Sequence, residues 1–265
     1  MEYITLRDLS VLLIEPSSLQ LGIIKQKLQD EGISQVDTAS DMHSALQKIS
    51  TYPPDLIFSN LHYPDATAVE LLTKIRQQEQ FVDLPFVLIS SENRRQHLEI
   101  FKQSGVIAIL SKPFSQSDLK KAINATLCFI NRAELTLENY DIETLKVIVV
   151  DDSRLARKAI SRVLRNLGIE LLTEFDDGSR AIEYLRNHEV DLVVTDYNMP
   201  QVDGAELTKF IRQSEQHQHV PVLMVTSEAR DSHIQFVSEA GVSAISDKPF
   251  DAQAVKNLLV NILDN

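Results

Sequence analysis

One segment of this chain occurs twice. PDLIFSNLHYP, ending at Pro64, matches VDLVVTDYNMP, ending at Pro200, an offset of 136 residues in a chain of 265. The same offset links Glu15 to Asp151, Gly32 to Gly168, Glu70 to Glu206, Arg76 to Arg212, Pro85 to Pro221, Ser90 to Thr226, Gly105 to Gly241 and Lys112 to Lys248. A repeat of this kind fixes the number of domains before any other feature is read, and the length suits two domains of ordinary size.

Within each copy, short apolar runs alternate with amphipathic stretches, the pattern of strand-helix-strand units around a parallel sheet. In the second copy the runs are KVIVVD, ELLTEF, DLVVTD, VPVLMVT and SAIS, all expected as strands buried on both faces. Ala156, Ile160, Val163 and Leu167 recur at helical spacing, with Ser153 as N-cap and Gly168 as stop. The stretches from Gly178, Asp203, Arg230 and Asp251 read as helices too. Right-handed crossovers then make an α/β fold: two tandem, doubly wound, five-stranded parallel-sheet domains. We place them at 8–129 and 146–265, with the more polar 130–145 as a linker or a helical extension.

In such a sheet the loops at the carboxyl ends of the strands converge, so polar residues ending several strands meet in space. The second copy puts Asp151 and Asp152 after its first strand, Asp196 at the end of the third, Thr226 at the end of the fourth and Lys248 after the fifth. Carboxylates this close repel by roughly 4 kcal/mol per pair at 4 Å and an effective dielectric of 20, more than one lysine offsets. A divalent cation balances them, and all-oxygen ligands favour Mg²⁺. Taken singly, an aspartate at a strand end is ordinarily a helix N-cap and a threonine there a turn residue. Their joint occurrence is what points to chemistry.

A carboxylate beside a metal, with a lysine and a hydroxyl to hold phosphoryl oxygens, suits an aspartyl-phosphate site. Asp151-Asp152, Asp196 in DYNMP, Thr226-Ser227 and Lys248-Pro249 resemble the receiver family of two-component response regulators, over nearly all of both copies. The resemblance implies Asp196 as phosphoacceptor, Thr226 as switch hydroxyl and Lys248 as phosphate contact. Asp151, Asp152, Asp196 and the backbone carbonyl of Asn198 would hold Mg²⁺. Asn198 and Glu228 would tune autodephosphorylation, and a cis peptide would precede Pro249.

The first copy departs at the decisive places. Asn60 stands at the acceptor position and Glu15-Pro16 replaces the acidic pair, while Ser90 and Lys112 remain. An amide is no nucleophile toward phosphate, so this domain is expected to be a degenerate receiver that docks a partner or dimerises independently of phosphorylation; a Glu15–Lys112 salt bridge is one way to fill its pocket. Both copies carry isoleucine, Ile109 and Ile245, where chemotaxis-type receivers have a switching aromatic.

The remaining composition narrows the class. A formal charge of -12 argues against a broad nucleic-acid or anionic-membrane surface. The one cysteine, Cys128, is expected in the core and forms no internal disulfide. MEYITLRDLS is no targeting signal, and no stretch approaches the ~20 apolar residues of a membrane span, so a cytoplasmic location is expected. His62, His233 and the other histidines lack metal-ligand spacing and are expected mostly at the surface.

The expected activity is therefore that of a phosphorelay response regulator rather than an enzyme, beyond taking phosphate from donors and losing it again. A histidine kinase or histidine phosphotransfer protein would supply the phosphate, and another protein would be the downstream target; a homodimer is a further partner the reading allows. The alternative is the N-terminal tandem-receiver part of a longer effector. A haloacid-dehalogenase-type phosphatase also uses aspartyl phosphate, but with an Asp-x-Asp nucleophile motif on the first strand, where this chain has Asp151-Asp152-Ser153. A flavodoxin-like cofactor binder would suffer repulsion between the clustered carboxylates and the flavin phosphate.

Overall fold

The computed structural model of the chain describes residues 3–92, 95–132, 135–227, 240–250 and 252–264, which form two compact units, Met1–Asn131 and Arg132–Asn265. The first unit runs β1 (Ser10–Ile14), α1 (Ser18–Asp30), β2 (Gln35–Ala39), α2 (Met42–Thr51), β3 (Leu56–Asn60), α3 (Ala68–Arg76), β4 (Phe86–Ser90), α4 (Arg95–Gln103), β5 (Ala108–Ser111) and α5 (Gln116–Ile130). The second runs β6 (Val147–Val150), α6 (Arg154–Asn166), β7 (Leu172–Phe175), α7 (Gly178–Leu185), β8 (Leu192–Asp196), α8 (Gly204–Gln213), β9 (Val222–Thr226), β10 (Ala244–Asp247) and α9 (Ala252–Leu263). The stretch expected as a helix from Arg230 lies outside the described residues.

Each unit holds one five-stranded sheet, in the orders β2-β1-β3-β4-β5 and β7-β6-β8-β9-β10, with every pairing parallel. Central strands β6, β8 and β9 are buried along their whole length. Burial on both faces does not extend to the edges: Glu174 of β7 and Asp247 of β10 are exposed, and most of their strand neighbours are half-buried. An edge strand has a partner on one side only, so its side chains are less completely covered.

Most residues that keep the 136-residue offset are scaffold. Glu70 and Glu206 close capping boxes with Thr67 and Asp203 at the starts of α3 and α8, each satisfying two orphan backbone donors. Arg76 donates to the carbonyls of Phe81 and Leu84, and Arg212 to those of Gln218, Val220 and Gly241. Gly32 and Gly168, past α1 and α6, have φ of 97° and 102°, a conformation that favours glycine at a helix stop. Ser153 caps α6 by accepting from the Ala156 amide, as its sequence position predicts.

Among the described residues of 130–145, α5 does not continue past Ile130 and 135–145 form part of the second unit. That helix ends at Ile130; beyond it, Leu135 and Leu145 are buried in the second unit, the Leu135 amide donates to the Leu167 carbonyl at 3.0 Å, and the amides of Glu138 and Asn139 share Asp264 Oδ1. Two apolar anchors fasten an otherwise polar strap. At the other end, Asn131 exchanges hydrogen bonds with the backbone of Ile4, so the first unit begins ahead of residue 8. Cys128 is half-buried rather than core, while His217 is buried, with Nε2 2.7 Å from the Leu185 carbonyl oxygen.

The fold meets the site most tightly at Gly204. A Cβ there would stand 2.2 Å from the carbonyl oxygen of Asp196 and 3.1 Å from Met224 Cε. The first unit carries Ala68 at the matching position, fully buried, so its own loop already accommodates the methyl. Gly204→Ala is expected to cost the second unit about 2 kcal/mol through overpacking, read as a lower urea midpoint at unchanged slope. A loss below about 0.5 kcal/mol would mean that the Asp196 carbonyl retreats freely.

Candidate functional site

The strand ends of the second unit bring its singled-out residues together. Asp151 follows β6, Asp196 ends β8, Thr226 ends β9 and Lys248 follows β10. Backbone bonds knit these ends: the Asp151 amide donates to the Phe175 carbonyl, the Tyr197 amide to that of Val225, and the Lys248 amide to that of Thr226. The peptide between Lys248 and Pro249 is cis, as is that between Lys112 and Pro113.

Asp151, Asp196, Thr226, Ser227 and Lys248 are all buried, whereas Asp152 is exposed at the mouth. Lys248 Nζ lies 2.8 Å from Asp151 Oδ2 and 2.9 Å from Asp196 Oδ2. The other oxygens are held by local amides: Ser153 N–H donates to Asp151 Oδ1 and Tyr197 N–H to Asp196 Oδ1, both at 2.8 Å. Asp151, Asp152 and Asp196 each offer a carboxylate oxygen within 4.8 Å of the others. With one ammonium against three carboxylates the pocket keeps two net negative charges, and its all-oxygen donors fit a hard divalent cation such as Mg²⁺.

The electrostatics show the crowding. Burial pushes the Asp151 carboxyl up to about 6, with Lys248 pulling it down and Asp196 adding to the rise. Burial likewise raises Asp196 against the pull of Lys248, and Asp152 adds to the effect. Burial alone would lower the Lys248 ammonium, but Asp151 and Asp196 outweigh it and hold the group above its ordinary value.

Other singled-out positions are less engaged. Asn198 is exposed two residues beyond Asp196, and Ile245 is half-buried on β10, paired in register with Met224. Glu228 and His233 lie outside the described residues. One contributor went unread in the sequence: Arg157 Nη1 donates to the Asp151 backbone carbonyl, and its Nε faces Glu174 Oε2 at 3.5 Å. The repeat held a signal for it, since the matching first-copy residues are Leu21 and Thr38.

The matching place in the first unit is built differently. Glu15 is buried and its Oε2 lies 2.8 Å from Lys112 Nζ, the pairing that the sequence offered as one way to fill this pocket. Its Oε1 accepts from the Ser17 amide at 3.0 Å and from Asn60 Nδ2 at 3.2 Å. Asn60 Oδ1 accepts the Leu61 amide, and the buried Ser90 hydroxyl accepts the Glu92 amide. Pro16 is half-buried. One carboxylate meets one ammonium here, so the pocket is balanced without a cation.

The chain is similar to known proteins in both of its halves. The family model for the response regulator receiver domain matches residues 11–124 and again 147–260. Chemotaxis protein CheY-3 of Vibrio cholerae is 39% identical over 122 residues, 46% of this chain and 94% of that protein. Chemotaxis protein CheY of Pseudomonas aeruginosa is 39% identical over 120 residues, covering 45% and 97%. Among solved structures, Vibrio cholerae CheY4 is 30% identical, covers 45% of this chain and 98% of its own, and has a TM-score of 0.43.

A carboxyl whose folded pKa exceeds its ordinary 3.8 binds its proton more tightly in the folded state, so metal-free protein loses stability as pH climbs from about 4 through about 6. Asp196→Asn relieves the crowding and should melt about 5 °C higher than the parent in EDTA at pH 7.5, the shift of roughly 1 kcal/mol in a domain this small. Calorimetry with saturating Mg²⁺ should narrow the gap. In the first unit, Lys112→Met strands the buried Glu15 carboxylate and should cost about 3 kcal/mol in urea unfolding, with Glu15→Gln in the same chain recovering part of it.

Proposed function

The chain belongs to the response regulator receiver family, with two receiver domains in tandem, and from that premise we propose that it is a phosphorelay switch phosphorylated on Asp196 alone. The observation that carries the reading is the contrast between the pockets: three carboxylates within 4.8 Å around Lys248 in one, and a self-neutralised Glu15–Lys112 pair beside Asn60 in the other.

Asp196 presents Oδ2 to the Lys248 ammonium while the Tyr197 amide holds Oδ1. In the transfer, an Asp196 oxygen forms a bond to phosphorus as the bond from phosphorus to a donor imidazole breaks, the donor being a histidine kinase or phosphotransfer protein. Lys248 and the Thr226 hydroxyl take the phosphoryl oxygens. Asp151, Asp152, Asp196 and the Asn198 carbonyl would hold Mg²⁺, which supplies charge neutralisation between carboxylates and phosphoryl group. Hydrolysis returns the site to rest, with Asn198 and Glu228 setting its rate.

The first unit serves as a phosphorylation-independent docking or dimerisation module. Its core is complete: Leu12, Ile14, Ile57, Phe86 and Leu88 are all buried, so it presents a folded surface. The output is an interaction with another protein, in the cytoplasm. No helix among the described residues is long and apolar enough to cross a membrane.

Acetyl phosphate with Mg²⁺ is expected to add a single phosphoryl group by intact mass. Asp196→Asn should abolish the adduct, and Asn60→Asp should not create a second, because Glu15-Pro16 still lacks the acidic pair. Two adducts on the unaltered protein would overturn the assignment.

A further inference from the structure

The β6 ladder ends at Asp151. Its amide is bonded to the Phe175 carbonyl of β7 at 3.1 Å, but its carbonyl projects past the paired region. Arg157 fills that place, donating through Nη1 from the first turns of α6. The guanidinium also lies in a looser chain of ion pairs, in which Nε makes no hydrogen bond. Nε faces Glu174 Oε2 at 3.5 Å, and Glu174 Oε1 meets Arg165 Nη2 at 3.7 Å, with the Arg157 side chain only 14% exposed. Val149 pairs in register with Glu174, so the anchor sits on the strand beside β6. Both backbone polar groups of Asp151 are thus hydrogen-bonded, the amide to β7 and the carbonyl to Arg157, whose guanidinium lies in ion-pair range of Glu174 on β7.

The two copies make this more than a local hydrogen bond. At the constant offset, Arg157, Arg165 and Glu174 become Leu21, Gln29 and Thr38 in the first unit. There the Glu15 amide still bonds to β2, through the Ala39 carbonyl at 3.0 Å, but all three charged members of the brace are missing. The brace and the acidic pair occur in the same unit and are absent from the same unit.

We propose that Arg157, backed by Glu174, is a positioning residue that fixes the Asp151–Asp152 turn so that buried Asp151 and exposed Asp152 converge with Asp196 on a divalent cation. The inference rests on the reading of this pocket as a cation site. Carboxylates that repel one another separate unless their backbone is held, and a ligand set held in place before binding gives up less on taking the ion.

Charge and positioning predict opposite signs. A guanidinium acting by charge alone would repel the cation, so its loss would tighten binding; a guanidinium acting as a brace weakens binding when lost. The test is calorimetric titration of the full chain with Mg²⁺, using Asp152→Asn as the reference for a missing ligand. Arg157→Leu, which installs the side chain found in the first unit, is expected to raise the Kd about 10- to 100-fold. Saturating Mg²⁺ should then restore most of the acetyl-phosphate labelling rate. Arg157→Lys keeps one donor and should fall between the two, and Glu174→Gln should weaken binding less than Arg157→Leu. Should the leucine variant fail to fold, the lysine variant, which keeps the charge, decides.

An unchanged or tighter Kd in the variants, with the unaltered protein binding normally, would overturn the brace while leaving the cation site intact. Absence of Mg²⁺ binding by the unaltered protein would overturn the cation reading itself.

Discussion

Lys248 reaches two buried carboxylates at once, Asp151 at 2.8 Å and Asp196 at 2.9 Å, and the second unit is arranged around what that one ammonium leaves undone. Two carboxylates in a pocket with almost no solvent cannot both be compensated by a single cation, and Asp152 at the mouth adds a third. The raised carboxyl groups record the imbalance. A fold that keeps such a cluster gives up stability while the charge is unbalanced, and is left with an all-oxygen pocket whose charge fits a hard divalent cation.

The first unit shows the same scaffold with the conflict removed. Glu15 is one methylene longer than the aspartate at the matching place; it reaches Lys112, Asn60 and the Ser17 amide, leaving a pocket whose single negative charge is met. The sheet order, capping boxes, glycine stops and cis peptides are repeated in both units. The pocket residues differ in charge: Asp151, Asp152 and Asp196 stand where the first unit has Glu15, Pro16 and Asn60. The same scaffold thus carries one pocket with three clustered carboxylates and one whose carboxylate and ammonium balance each other.

Backbone geometry couples site and scaffold in the second unit more closely than a ligand inventory suggests. The Asp196 carbonyl lies against Gly204, where even a methyl would collide, and the Asp151 carbonyl is held by Arg157. Both carboxylates thus have their main chain met from outside the pocket, one by close packing and the other by a guanidinium in ion-pair range of Glu174 on the neighbouring strand. That rigidity matters for the proposed cation site, because ligands a few tenths of an ångström out of place bind a small cation poorly.

Much of this was legible in the sequence. The 136-residue repeat fixed two domains, the apolar runs gave the strands, and Asp151, Asp152, Asp196, Thr226 and Lys248 fell at strand ends because a parallel sheet gathers its carboxyl ends on one side. What a linear reading could not supply depended on partners far apart in the chain. The strap at 135–145 looks polar until Leu135 and Leu145 find the second core, and the edge strands look buried until their missing neighbours are counted. Arg157 reads as one of several surface arginines on an amphipathic helix; only the tertiary fold sets it between the carbonyl of Asp151 and the carboxylate of Glu174. Local pattern determines which face of an element is apolar, whereas the pairing of two polar groups across elements depends on register and packing, which exist only once the chain has folded.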